Sequence, residues 1–254
     1  MALVLNYHDG AARPAWLQAY PRCGVAGPNY LRKDGQIDFA YAATMFARVD
    51  VSSGWLALSL EADRRPHWIG NDAATDQQAV EWSGRQACLA WFAREFFAPT
   101  PIKIVVYSGV PLWMDTNGMI DEAKQKARNE LALLAYAPYI DAIGYDCYPR
   151  SADPAVVTMM AERGLLETKR LIDVTYAQAR CKRKLLSMPF VTDYFKNKVT
   201  DTWDPAPLEC VRANLLAARK YSCTGVVHYS ATAFPENPNP PIALMNAYKE
   251  GWPL

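Results

Sequence analysis

Hydrophobic and polar positions along the chain follow two periods in alternation. Short runs with a two-residue repeat, or with unbroken apolar character, fall at 2–7, 24–30, 55–61, 102–108, 142–148, 184–190 and 225–230. Longer stretches with apolar residues every three to four positions lie between and after them, at 38–48, 77–97, 120–137, 154–179, 207–221 and 242–250. The first kind predicts β-strands and the second amphipathic helices, because strand side chains alternate faces while helical ones return after about 3.6 residues. Strands and helices in strict alternation predict βα units around a parallel sheet. Seven such strands, with one more irregular or missing, read as a (β/α)8 TIM-type barrel rather than an open doubly wound sheet. The whole of 1–254 reads as one domain, since α/β barrels of roughly 200–250 residues are routine. Region 11–37 is the least regular, with only a short helix at 14–20, and PENPNPP at 235–241 reads as a rigid loop.

Composition narrows the function classes. At 51% hydrophobic and 21% charged, the chain has ample material for a packed core, which excludes disorder. Its 27 basic and 26 acidic side chains leave a net charge of +1, and the densest basic run, Arg180 to Lys184, is too short for a phosphate-tracking stripe, so no nucleic-acid partner is expected. No run approaches the ~18 apolar residues of a membrane span, and MALVLNYHDG carries no signal-peptide pattern, so a soluble chain is expected, one compatible with a domain of an exported or phage protein. Compartment and oligomeric state leave no mark on the sequence. Six widely spaced cysteines read as buried thiols. Neither a dinucleotide fingerprint nor a P-loop follows any strand, and no cofactor or metal is expected.

Candidate chemistry comes from strand parity. In WLALSLEAD, Leu56, Leu58 and Leu60 share one parity, and Ala57, Ser59, Glu61 and Asp63 the other. In DAIGYDCYP, Ile143, Tyr145 and Cys147 oppose Ala142, Gly144, Asp146 and Tyr148. The same reading groups Val4, Asn6 and His8 of the first strand, and Val226, His228 and Ser230 of the last, with the acids. Barrel chemistry sits at the carboxyl ends of strands, and charged groups are almost never fully buried unless paired. Glu61 and Asp146 are therefore expected to face a cleft or a partner. The plainer alternatives are helix N-caps for these two acids, an ion pair with Arg64 or Arg65 for Asp63, and core hydrogen bonding for the histidines. Tyr7, Tyr107, Trp113, Tyr148 and Tyr229 stand near the same rim, where amphipathic rings suit the C–H faces of a sugar. The expected binding residues are Asn6, His8, Asp63, Tyr107, Trp113, Tyr148, His228 and Tyr229.

The succession LALSLEAD, IKIVVYSGVPLW, YIDAIGYDCYP, LLSMPFV and TGVVHYSA resembles the (β/α)-barrel glycoside hydrolase superfamily, over most of 55–230. It lacks the adjacent Asn-Glu pair that many such barrels carry on a strand. The resemblance implies a glycan substrate and a carboxylate pair, with Glu61 as general acid and Asp146 as nucleophile, base or stabiliser of an oxocarbenium-like transition state. Two rivals stand beside it. NYHDG offers His8 and Asp9 to a divalent cation, as in a metal-dependent carbohydrate deacetylase, but no His-x-His or His-x-x-x-His completes a ligand set. A barrel that binds glycan without cleaving it, as a module of a phage or cell-surface assembly, is the other.

Overall fold

The computed structural model describes residues 3–7, 22–26, 30, 32, 34–59, 76–107, 122–147, 151–192, 194–197, 202–229, 246 and 250. Its elements run β1 (Leu3–Tyr7), β2 (Arg22–Ala26), α1 (Phe39–Phe46), β3 (Trp55–Ser59), α2 (Asp76–Phe96), β4 (Lys103–Tyr107), α3 (Glu122–Tyr136), β5 (Ala142–Ile143), β6 (Asp146–Cys147), α4 (Pro154–Ala177), β7 (Leu186–Ser187), β8 (Phe190–Val191), β9 (Tyr194–Asn197), β10 (Thr202–Pro205), α5 (Leu208–Lys220) and β11 (Gly225–Tyr229).

The main sheet is parallel, in the order β6-β8-β11-β1-β2-β3-β4-β5-β7. As a hydrogen-bonded order it is open, with β6 and β7 at its ends. Those ends belong to neighbouring strands, however: β5 and β6 are halves of one strand broken at Gly144 and Tyr145, and β7 and β8 are halves of the next, broken at Met188 and Pro189. The second of these broken strands bonds on both sides. Met188 and Phe190 donate to the carbonyls of Ile143 and Tyr145 at 3.0 and 2.9 Å, while its own Ser187 and Pro189 carbonyls accept from Thr224 and Val227 at 2.9 and 3.0 Å. Seven strand positions among the described residues thus stand in a ring, the TIM-type barrel with one strand short of eight.

Each break has a local cause. Pro189 has no N–H to give the ladder. At Gly144 a Cβ would lie 2.4 Å from the Met188 carbonyl oxygen, so only glycine lets the two broken strands approach this closely. Inside the ring, Cys23, Trp55, Ala57, Val105, Ala142, Met188, Phe190 and Val227 pack into one cluster. Outside it, Leu56, Leu58, Ile104, Val106, Ile143, Tyr145, Cys147, Val191 and Val226 belong to the larger cluster under the helices. The predicted alternation of Leu56 and Leu58 against Ala57, and of Ile143 and Tyr145 against Ala142, is the observed division.

Gly164 of α4 shows how tightly the helix layer seats. A Cβ there would meet the Tyr145 ring at 2.2 Å, whereas one at exposed Gly84 of α2 would meet nothing within 4 Å. Gly164→Ala is therefore expected to destabilise the protein by about 1–3 kcal/mol through overpacking, and Gly84→Ala to stabilise it by about 0.5–1 kcal/mol through helix propensity. Urea denaturation of the two variants checks both signs.

The amino end of the barrel is tied by charge. Asp141, just before β5, accepts from Arg94 at 2.5 Å, from the Ile104 N–H at 2.9 Å and from Arg183. Arg94 also donates to the carbonyls of Tyr139 and Ile102. Lys103 sits over the ring of Trp55, its register partner, 5.4 Å from the centroid. Two members of the basic run at Arg180 to Lys184 are thereby engaged in the fold, since Lys184 pairs with Asp173.

Several sequence expectations shift. The second strand lies at Arg22–Ala26 rather than at 24–30. An antiparallel hairpin, β9 with β10, occupies a stretch to which the sequence pattern assigns no element, since it mixes aromatic, charged and Pro residues. Of the cysteines, Cys88 is exposed and Cys181 half-buried; the other four are buried. The expected helix at 14–20, and all of that at 242–250 except residues 246 and 250, lie outside the described residues. No described helix is long and apolar enough to cross a membrane.

Candidate functional site

In a parallel sheet, register partners stand side by side and share a face, so each row of partners can be assigned to the inner or the outer side. Asp146 pairs with Phe190, Phe190 with Val227, and Val227 with Leu5. Phe190 and Val227 are in the inner cluster, so Asp146 occupies an inner row at the carboxyl end of its strand. Ser59 pairs with Tyr107 at the carboxyl ends of β3 and β4, and continues the inner parity of Trp55 and Ala57. Ser59 is fully buried. Tyr229 pairs with Tyr7, and Tyr7 with Cys23 of the inner cluster.

The register separates two residues that the sequence reading grouped with the acids. His228 pairs with Val191 on one side and Asn6 on the other, and Cys147 pairs with Val191. Val191 and Cys147 lie in the cluster beneath the helices, so this is an outer row. His228 is fully buried there, a core histidine rather than a rim residue, and Asn6 holds a position in the same row. The physical reason is the phase between strands. Parity counted along one strand says nothing of which face is inner until the neighbouring strand fixes it. Tyr7 and Tyr229, not Asn6 and His228, stand on the inner side. Glu61, Asp63, His8, Trp113 and Tyr148 lie outside the described residues.

The strand end at Asp146 has its own local geometry. The Cys147 N–H donates to the Tyr145 carbonyl at 2.9 Å, closing a three-residue turn centred on Asp146. From outside, buried Asn214 of α5 donates its Nδ2 to the Cys147 carbonyl at 2.8 Å. Asn214 was not singled out in the sequence, although a polar residue between Val211, Leu215 and Ala218 on an apolar helical stripe is a legible signal. Asn214→Ala leaves a buried carbonyl without this donor, at an expected cost of about 1–3 kcal/mol. Amide exchange at Cys147 is expected to speed up while that of β3 stays as it is. Equal acceleration in both strands would instead mark a global loss of stability. Thr192, just past β8, is also buried.

No family model matches the sequence, and no curated protein sequence matches it. The fold is similar to that of solved glycoside hydrolase structures. Bee venom hyaluronidase, in complex with a hyaluronic acid tetramer, aligns at 11% identity over 77% of this chain and 66% of its own, with a TM-score of 0.50. A provisionally named alpha-L-fucosidase from Bacteroides thetaiotaomicron aligns at 10% identity over 86% of this chain and 61% of its own, also with a TM-score of 0.50. A chitinase from Chromobacterium violaceum aligns over 99% of both chains at 12% identity and a TM-score of 0.45. The chain thus spans about two thirds of the hyaluronidase and somewhat less of the fucosidase, and what it shares with them is the fold.

Proposed function

We propose that this protein is a glycosidase that cleaves a polysaccharide or oligosaccharide, with Glu61 and Asp146 as its carboxylate pair. The observation that carries the reading is the register. Asp146 ends one strand in an inner row, and Ser59, two residues before Glu61, ends another on the inner parity. The strands bearing them flank β4 on either side. At about 4.8 Å per strand their backbones stand roughly 10 Å apart, a span across which two inward carboxyls reach either the ~5–5.5 Å of a retaining pair or the ~6.5–9.5 Å of an inverting one. The glycosidase names of proteins sharing the fold support the same reading.

In this scheme Glu61 enters protonated and delivers its proton to the leaving oxygen. Asp146 stays ionised and faces the developing oxocarbenium charge as nucleophile, or as base toward water. Tyr107 and Tyr229, at inner-row positions, together with Trp113 and Tyr148, supply rings for the sugar faces. The direct test is a polysaccharide panel with reducing-end detection. New reducing ends from one glycan class support the proposal; retention of a glycan without new ends would identify a binding module instead.

A further inference from the structure

Helix α2 covers the barrel with one face and turns another to solvent. On that second face Gln77, Val80, Gly84, Cys88, Trp91 and Glu95 recur every three to four residues, and all are exposed. The outer stripe of a surface helix is where polar and charged residues belong. Here Val80 leaves 54% and Trp91 44% of its area in water, with Cys88 exposed between them. Phe39 of α1, 40% exposed, stands edge-on to Trp91 with 6.5 Å between ring centroids, so the apolar surface continues onto the neighbouring helix. Taking about 150–250 Å² for a large side chain, Val80, Trp91, Phe39 and Cys88 together expose roughly 300 Å², a size at which an apolar patch commonly has a function.

Size and charge along the stripe point to the occupant. A Cβ at Gly84, in the middle, would meet nothing within 4 Å. Packing within the chain therefore does not call for a residue that weakens a helix by about 1 kcal/mol, whereas a second helix crossing closely over the stripe does. Glu81 and Arg85 flank that point one turn apart, at the spacing of an intrahelical ion pair. Glu81 instead accepts from Gln77 at 3.1 Å, and the Arg85 guanidinium lies beside Gly35. Neither has an ion-pair partner among the described residues. The net charge of +1 lets two copies of the chain approach without long-range repulsion.

We infer that the outer face of α2 is the seat of a homodimer, in which the α2 helices of two copies cross antiparallel about a two-fold axis level with Ser83. Such an interface uses the same patch on both copies. Positions equally far before and after 83 then stand opposite each other, so Glu81 meets the partner's Arg85 and Arg85 meets the partner's Glu81. Val80 falls between the partner's Gly84 and Cys88, and Gln77 between the partner's Cys88 and Trp91. An apolar centre with an aromatic anchor and a charged rim is the usual anatomy of a protein contact. A patch of this area fits a reversible dimer at the small end of specific interfaces, about 1,200 Å² in total.

The test is analytical ultracentrifugation of the full chain over a concentration series from about 1 μM to 1 mM. The unsubstituted chain is expected to pass from monomer to dimer. Trp91→Ala, Glu81→Arg and Arg85→Glu are each expected to weaken the dimer about tenfold, the first by removing an aromatic anchor and the others by opposing like charges. Mixing Glu81→Arg with Arg85→Glu restores both opposed pairs, so the mixture is expected to dimerise as the unsubstituted chain does. That recovery is a readout that a fold-stabilising role for either residue would not produce. A chain monomeric throughout the series, a dimer unmoved by the substitutions, or a mixture that stays monomeric overturns the inference. Retention of a monomeric chain on lipid vesicles through Trp91 would give the face to a membrane instead.

Discussion

Glu61→Gln is expected to lower glycan hydrolysis by about 10²–10⁴-fold while leaving affinity for the glycan close to that of the unsubstituted chain. The amide keeps the shape and most of the hydrogen bonding of the acid but cannot deliver a proton, and a general acid typically contributes a factor of that size. The measurement pairs initial rates of reducing-end release with a binding titration on the same glycan. Retained hydrolysis removes Glu61 from the mechanism, and a matching loss of binding would make it a ligand to the sugar rather than the acid. Asp146→Asn, read in the same two assays, addresses the partner carboxylate, with the same pattern expected.

The second large effect lies at the opposite end of the barrel. Asp141→Ala is expected to lower the unfolding free energy by about 2–4 kcal/mol, because it strips the Ile104 N–H and Arg94 of a buried acceptor. The lower part of the full range for breaking a buried pair is appropriate, since Arg94 is about one-third exposed and Arg183 largely so. For a domain of this size each kcal/mol moves the thermal midpoint by about 2–4 °C. Burial by itself would raise the Asp141 carboxyl pKa. The bonds from Arg94 and the Ile104 N–H, the charge of Arg94 and the bond from Arg183 outweigh burial and hold it below the ordinary carboxylate value. A depressed folded pKa stabilises the fold above the unfolded value of about 3.9, and that contribution disappears as pH falls through the folded pKa. The gap in stability between the unsubstituted chain and Asp141→Asn is thus expected to be wide at neutral pH and to close toward pH 3. A gap of equal size at both would assign the effect to packing rather than charge.

These two acids illustrate how differently strand-end carboxylates behave. Asp141 precedes its strand, faces two arginines and ties the amino end of the barrel. Asp146 ends the same strand in an inner row, at the face where barrel loops carry chemistry. Both are acids in the short segment YIDAIGYDCYP, and only their positions relative to the neighbouring strands divide scaffold from candidate site. The cysteines make the same point on a smaller scale, with Cys88 exposed on α2 despite a residue type that is usually buried.

Local pattern alone determined the succession of βα units, the barrel class and the inner or outer parity within the third and fifth strands, because side-chain period is a property of a single segment and Leu56, Leu58, Ile143 and Tyr145 announce their side by being apolar and large. Tertiary structure alone decided what depends on a neighbouring strand. It set the phase that sends His228 and the Asn6 position outward and the Tyr7 and Tyr229 positions inward, and the breaks at Gly144 and Pro189. It also made Asn214 the hydrogen-bond donor to the strand end at Asp146. The reason is that register and close approach between backbones are relations between segments far apart in the chain, and no single segment encodes the partner against which its faces are defined.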